Sequence, residues 1–278
     1  MSGLTLRCPA KVNLYLKVVG RRPDGYHDLL TIMQPLTLAD TLTLTLGAAD
    51  ITCECHGADL PQDEGNLAVR AARAFQQATG DSFGVHLQLI KRIPVAAGLG
   101  GGSSNAAGVL RGVNQLRGQP LNSTQLAAVA RQLGADVPFF LLEGPALGQG
   151  IGDLLTPITL PPWWYVLLNP GFAVSTGQVY AGLRPPFAAP AAAELLAQLH
   201  DPPDRWLHND LESVTLAQHP ELVALKAALR QEGALGVLMS GSGPTVFGIF
   251  PDESTASQAG ARLQARTGLW TAVTQGVA

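Results

Sequence analysis

The chain has 278 residues, 46% of them hydrophobic and 14% charged, which is ample material for a packed core and a length suited to about two domains. Its 18 basic and 21 acidic side chains exclude a general nucleic-acid or membrane-surface binder. No apolar run reaches the roughly 18 residues that span a bilayer, no basic-then-apolar leader opens the sequence, and three cysteines cannot build a disulfide framework. The expected compartment is therefore a reducing cytoplasm.

Pro9-Ala-Lys-Val-Asn-Leu-Tyr-Leu16 reads as a strand with Lys11 and Asn13 on one face, because side chains two apart point the same way. A lysine and an asparagine in an apolar strand imply either a buried partner or a solvated edge. Leu42, Leu44 and Leu46 alternate with threonines, a half-buried strand. Cys53 and Cys55, with His56, lie on another strand-like run and lack the second ligand pair of a zinc site, so they read as ordinary strand cysteines. A helix is predicted from Asn66 to Thr79, with Leu67, Ala71, Ala74 and Phe75 on one face and Gly80 at its end. Val85, Leu87 and Leu89 then form a strand that runs into the most distinctive stretch of the chain.

That stretch is Pro94-Val95-Ala96-Ala97-Gly98-Leu99-Gly100-Gly101-Gly102-Ser103-Ser104, followed by Asn-Ala-Ala107. Its four glycines permit positive φ and let an anion reach the backbone amides without meeting a Cβ. Ser103 and Ser104 are expected to cap the helix that follows. Ala106, Leu110 and Val113 recur along it at helical spacing before Gly118 and Pro120 stop it. A helix N-terminus attracts phosphate, so the loop is a phosphate cradle. It is not a Walker A loop, since no lysine follows the glycines. It is not a dinucleotide fingerprint either, since residues 116–124 hold no acidic side chain.

Ser123 to Leu133 reads as a helix capped by Ser123 and stopped at Gly134. Asp136 follows in Gly134-Ala-Asp-Val-Pro-Phe-Phe140, just ahead of a proline that forbids helix continuation. A carboxylate there is a cap or a working acid–base group. A second block begins near Pro161, with Trp164 to Leu168 a strand ended by Asn169-Pro-Gly171. Arg184 to Pro203 holds five prolines and one short helix, from about Pro190 to His200. Pro220 to Gln231 reads as a helix with proline in its first turn. Ser240-Gly-Ser-Gly-Pro-Thr-Val-Phe247 is a second glycine turn leading into the strand Thr245 to Phe250, and a helix from Ser254 to Thr267 follows. No internal repeat is visible. The pattern is mixed α/β. With no lysine in the loop, positive charge and a base must come from elsewhere, and Lys11 and Asp136 are the candidates for a phosphoryl-transfer acceptor site.

In this order and spacing, Pro9-Ala-Lys-Val-Asn-Leu14, the Pro94–Ala107 run and Ser240–Phe247 resemble the GHMP kinase superfamily over nearly the whole chain. Arg22-Pro-Asp-Gly-Tyr-His27 and Gly134-Ala-Asp-Val-Pro-Phe139 narrow the resemblance to its branch acting on the 2-hydroxyl of 4-diphosphocytidyl-2-C-methyl-D-erythritol, in non-mevalonate isoprenoid biosynthesis. The resemblance implies an α/β (α+β) two-domain GHMP kinase fold. Residues 1–160 would form an S5-like ATP-binding domain and residues 161–278 a ferredoxin-like domain.

By the same resemblance, Pro94 to Ser104 wrap the ATP phosphates, accompanied by Mg²⁺. Asp136 takes the proton of the 2-hydroxyl, and Lys11 keeps that aspartate ionised and stabilises charge at the acceptor. Tyr26 and His27 line the cytidine pocket, Tyr180 supplies a second aromatic face, and Asn13 contacts the methylerythritol end. Ser240 to Thr245 close the site. The implied partner is a small molecule, with no nucleic acid and no membrane, and the implied assembly is a monomer or weak homodimer. Two departures stand out. Ala96 and Ala97 replace glycine found in many relatives, which implies a stiffer loop. Asp153 stands where a glutamate is usual, and a cap is the plain alternative for it. Other readings are a homoserine-, mevalonate- or galactose-type kinase, disfavoured by Gly25-Tyr26-His27, and a non-catalytic nucleotide-binding module, disfavoured by the Lys11 and Asp136 pair.

Overall fold

Two strands far longer than the usual five or six residues organise the chain: β1 (Gly3–Arg21) and β2 (His27–Gly47). A computed structural model describes residues 3–47 and 50–278. It divides into two compact units, and each long strand contributes one part to each. The first unit takes the described residues up to Ala10, Leu38–Val95 and Gly100–Glu143; the second takes Lys11–Thr37, Ala96–Leu99 and Gly144–Ala278.

In the first unit, the ends of β1 and β2 join β3 (Ile51–His56), α1 (Leu67–Thr79), β4 (Gly84–Ile90), α2 (Gly101–Leu116) and α3 (Ser123–Leu133). The strand order is β3-β4-β2-β1. β4 pairs antiparallel with β2, setting Leu42 opposite Leu89 and Leu44 opposite Leu87. The leucine–threonine alternation thus buries Leu42 and Leu44, as a half-buried strand requires. α2 lies directly on this sheet. A Cβ on Gly112 would overlap Leu44 Cδ1, and one on Gly108, a turn earlier, would sit 2.6 Å from Cys8 Sγ. Burial pushes the Cys8 thiol up to about 11, so it stays protonated and unreactive.

Local signals account for most helix ends. Asn66 caps α1 by accepting from the Ala68 N–H, and Gly80 ends it in the left-handed conformation. Two expected caps move by a few residues. α2 starts from Gly100 with no side-chain cap, and Ser103 and Ser104 fall inside its first turn. α3 is capped by Asn122 in a reciprocal box with Gln125, leaving Ser123 as its first helical residue.

One buried polar cluster holds this unit together around the loop's two ends. The Asp40 carboxylate, with no solvent exposure, accepts from Lys91 Nζ, Asn105 Nδ2 at 3.0 Å, and the Arg92 and Ile93 N–H groups at 2.7 and 3.0 Å. Asn105 Oδ1 accepts in turn from Lys91 Nζ at 2.8 Å. A buried ion pair is tolerable only when its other hydrogen-bonding groups find partners, and here the carboxylate accepts four bonds and the ammonium donates two. The cluster ties β2 and the end of β4 to the second turn of α2.

The second unit contains the other parts of β1 and β2, then β5 (Ala146–Gln149), β6 (Leu154–Pro157), β7 (Trp164–Asn169), α4 (Thr176–Gly182), α5 (Ala192–Gln198), β8 (His208–Asn209), α6 (Glu212–Gln218), α7 (Glu221–Gln231), β9 (Gly236–Met239), β10 (Val246–Phe250), α8 (Glu253–Thr267) and β11 (Trp270–Gln275). One sheet here runs β8-β1-β2-β5-β6; the other is β11-β7-β10-β9, antiparallel throughout. Apart from α4, α5, β8 and α6, which intervene between β7 and α7, the elements β7-α7-β9-β10-α8-β11 form a βαββαβ arrangement in that sheet order, in line with the ferredoxin-like expectation. Val166, Leu168, Val246 and Phe250 on this sheet pack with Leu222 and Leu229 of α7 and Leu263 of α8 in one core.

Asp40→Ala leaves the Lys91 ammonium buried without its carboxylate. It is expected to cost about 3–5 kcal/mol of unfolding free energy in urea titrations; a loss under about 1 kcal/mol would contradict the role given to this cluster.

Candidate active site

Lys11 and Asn13 project from the same face of β1 in the second unit, and they are 4% and 3% exposed. Burial removes the solvated-edge alternative and requires partners. Lys11 Nζ donates to Asn13 Oδ1 at 2.5 Å. Asn13 Nδ2 donates to Thr31 Oγ1 at 3.0 Å, and Thr31 Oγ1 donates to the Tyr15 carbonyl at 2.7 Å. The Asn13 N–H donates to Ser240 Oγ at 3.3 Å. Thr31 and Ser240 escaped the sequence reading as individual residues, because their roles arise only when distant segments meet.

The glycine loop is fastened to this row by its carbonyl groups. The Leu99 oxygen accepts from the Lys11 N–H at 2.9 Å, and the Ala97 oxygen from the Thr245 N–H at 3.4 Å. The Gly98 oxygen accepts from Ser240 Oγ at 2.9 Å. In a planar trans peptide the C=O of one residue opposes the N–H of the next. Three carbonyls turned toward β1 and the 240–245 turn therefore aim the amides of Gly98, Leu99 and Gly100 the other way. Ala96, Gly98 and Gly100 have φ of 52°, 75° and 70°, alternating with residues of negative φ, a backbone pattern from which anion-binding nests are made. A Cβ on Gly98 would overlap the Ser240 carbonyl oxygen and lie 3.1 Å from that of Gly243. Only glycine fits there. Ala96 holds its left-handed φ despite its Cβ, at a cost of about 1–2 kcal/mol.

On the α2 side, the first intrahelical bond of the turn runs from the Ser104 N–H to the Gly100 carbonyl. The amides of Gly101, Gly102 and Ser103 are thus the open donors of a helix N-terminus. Ser104 Oγ is buried and has no hydrogen-bond partner. An orphaned buried hydroxyl beside a row of open amides fits a polyphosphate and its divalent ion. Among the described residues no group of three His, Cys, Asp or Glu side chains could hold a metal.

Asp136 belongs to the first unit. It lies in the turn after α3, closed by the Val137 N–H donating to the Gly134 carbonyl at 3.2 Å. The short 3-10 turn that follows, Pro138–Leu141, begins without a side-chain cap.

His27, at the start of β2, is the centre of an aromatic group in the second unit. Its ring stacks on Tyr180 at 5.2 Å and 29°, and meets Phe187 edge-on at 5.9 Å and 87°. Burial, and then the Arg21 charge, hold its pKa below the ordinary value. The imidazole is therefore neutral at pH 7, with one nitrogen donating and the other accepting. Tyr26 is 58% exposed beside it, in the turn where the Arg22 N–H donates to the Tyr26 carbonyl. Phe187 was missed because it sits in the proline-rich stretch, where no periodicity marks a buried face. Asp153, at the tight turn between β5 and β6, has its Oδ1 3.0 Å from where a Cβ on Gly150 would stand.

Residues 66–144 match the family model described as GHMP kinases N terminal domain, and residues 189–268 match GHMP kinases C terminal. The chain is 47% identical over 263 residues to the 4-diphosphocytidyl-2-C-methyl-D-erythritol kinase of Syntrophotalea carbinolica, covering 94% of each protein. It is 44% identical over 280 residues to the enzyme of that name from Pelobacter propionicus, covering 99% of each. A crystal structure of 4-(cytidine 5'-diphospho)-2C-methyl-D-erythritol kinase is similar with a TM-score of 0.86 and 40% identity, over 98% of this chain and 99% of that one. Homoserine kinase from Cytophaga hutchinsonii, at 21% identity and a TM-score of 0.77 over 99% and 95% of the two chains, shares the fold alone. The chain belongs to the GHMP kinase family, in its branch of 4-diphosphocytidyl-2-C-methyl-D-erythritol kinases.

Proposed function

We propose that this chain transfers the γ-phosphoryl group of ATP to the 2-hydroxyl of 4-diphosphocytidyl-2-C-methyl-D-erythritol, giving the 2-phosphate and ADP in non-mevalonate isoprenoid precursor synthesis. The observation that carries the reading is the glycine loop, whose Ala97, Gly98 and Leu99 carbonyls accept from protein donors while the amides that follow them face the other way. The relatives at 44–47% identity support the choice of acceptor.

In this reading the amides from Gly98 to Ser103 bind the phosphates of ATP, with Pro94 to Ala97 forming the approach to them. Mg²⁺, held by Ser104 Oγ and the phosphates, would neutralise charge that builds on the transferred group. Asp136 accepts the proton of the 2-hydroxyl as its oxygen attacks phosphorus. Lys11 stabilises negative charge at the acceptor, and Asn13 lies beside it at the methylerythritol end. Phosphoryl transfer needs little covalent help from a protein, so fixed charge and fixed geometry supply the rate.

Tyr26, His27 and Tyr180 hold the cytosine, with the neutral imidazole able to serve both a donor and an acceptor on the base edge. Homoserine or mevalonate has no aromatic base to occupy such a group. Among the described residues no helix is long and apolar enough to cross a membrane. The reaction is assigned to the cytoplasm, where ATP is available and where free thiols such as Cys8, Cys53 and Cys55 persist.

Asp136→Asn is expected to lower kcat with the diphosphocytidyl substrate by about 10²–10⁴-fold, measured as ADP release, with KM changed little. Near-normal turnover would contradict the base assignment. The lowered pKa of His27 means that protonation sets in only below the ordinary 6.5. KM for the cytidine substrate should accordingly be flat through neutral pH and rise as pH falls below that value; a rise centred above pH 7 would count against a neutral His27 in the base site.

A further inference from the structure

Thr31 hydrogen-bonds to Asn13, one of the residues expected from the sequence to meet substrate, and it determines which way Asn13 faces. A hydroxyl has one proton to give, and a carbonyl only accepts. The Tyr15 carbonyl, 2.7 Å from Thr31 Oγ1, therefore takes the threonine proton. The Asn13 side-chain atom 3.0 Å from the same oxygen must then be a donor, which makes it Nδ2. Oδ1 is left facing Lys11 and accepts from its ammonium. The backbone of Asn13 is fixed by the same logic: Ser240 Oγ spends its proton on the Gly98 carbonyl and so accepts from the Asn13 N–H.

Thr31 is itself held in one rotamer. It is 2% exposed, and it sits opposite Gly148 of β5, where a Cβ on that glycine would come within 2.9 Å of the Thr31 methyl. The row from the Tyr15 carbonyl through Thr31 and Asn13 to Lys11 thus has a single direction, and water does not compete for it.

We infer that Thr31 is a positioning residue for phosphoryl transfer: by fixing the Asn13 amide it presents an oxygen, not an NH₂ group, to Lys11 and so sets where the ammonium points. This rests on the reading of Lys11 as the charge-stabilising group at the acceptor. With the threonine hydroxyl gone, Asn13 loses the contact that selects its orientation, and a flipped amide would aim a donor at a cation.

The test is steady-state kinetics on Thr31→Val, which keeps the shape and removes the hydroxyl, and on Thr31→Ser, which keeps the hydroxyl. Thr31→Val is expected to lower kcat about 10- to 100-fold, with KM for ATP and for the cytidine substrate within about twofold of wild type. Thr31→Ser should retain kcat within about threefold. Gly148→Ala, which presses on the Thr31 methyl without deleting any hydrogen-bonding group, should give the same kcat-selective loss and serves if Thr31→Val does not fold. Unchanged kcat in Thr31→Val, a loss confined to KM, or a serine variant as poor as the valine one would overturn the inference. Lys11→Met separates the two layers. Wild-type turnover in that variant sinks the reading of Lys11, whereas a Lys11→Met variant that loses turnover beside an unaffected Thr31→Val sinks only the inference about Thr31.

Discussion

The absence of a Cβ at Gly98 is the constraint on which the site depends. A single methyl there would overlap the Ser240 carbonyl oxygen, and the loop could not approach the 240–245 turn closely enough for its carbonyls to find their donors. Those three carbonyl contacts each turn the next amide outward, which gives the loop the backbone form from which anion nests are made. In the proposed function, phosphate affinity comes from backbone direction, with no lysine in the loop. Ala96 shows the cost of that path, since it keeps a left-handed φ that glycine would take freely.

Each unit also contains a buried polar row whose members hydrogen-bond to one another. In the first unit Asp40, Lys91 and Asn105 fix the residues that precede and follow the loop in sequence. In the second, Thr31, Asn13, Lys11 and Ser240 fix the strand that carries the buried ammonium. Apolar packing of similar volume is often as stable as such a network. What the networks add is direction. An ammonium with a hydrogen bond fixed in advance needs less reorganisation when charge develops beside it, which is the form of rate enhancement that phosphoryl transfer can use.

Much of this was legible in the sequence where the signal is local. The glycine run, the Lys11 and Asn13 pair on one strand face, and the helices ended by Gly80 and Gly134 are all set by neighbours within a few residues. Caps were read less well. Ser103 and Ser104 look like capping residues, but the loop reaches Gly100 already in a left-handed turn, and the helix begins there. What lay beyond reach was tertiary. Asp40 and Lys91 carry no local signal in the sequence, and only the fold shows them buried together. β8 has two residues and no pattern to detect. Phe187 meets His27 from a proline-rich segment without periodicity. Thr31 is one threonine in an apolar strand, and its importance appears only when the proton of its hydroxyl is followed to the Tyr15 carbonyl.

The most direct measurement is a crystal structure with a non-hydrolysable ATP analogue and the diphosphocytidyl substrate bound together. The account predicts phosphate oxygens within hydrogen-bond distance of the amides between Gly98 and Ser103, the Ser104 hydroxyl engaged by a phosphate or its ion, and the cytosine against His27. Phosphates bound away from that loop, with Ser104 Oγ still unpartnered, would contradict it.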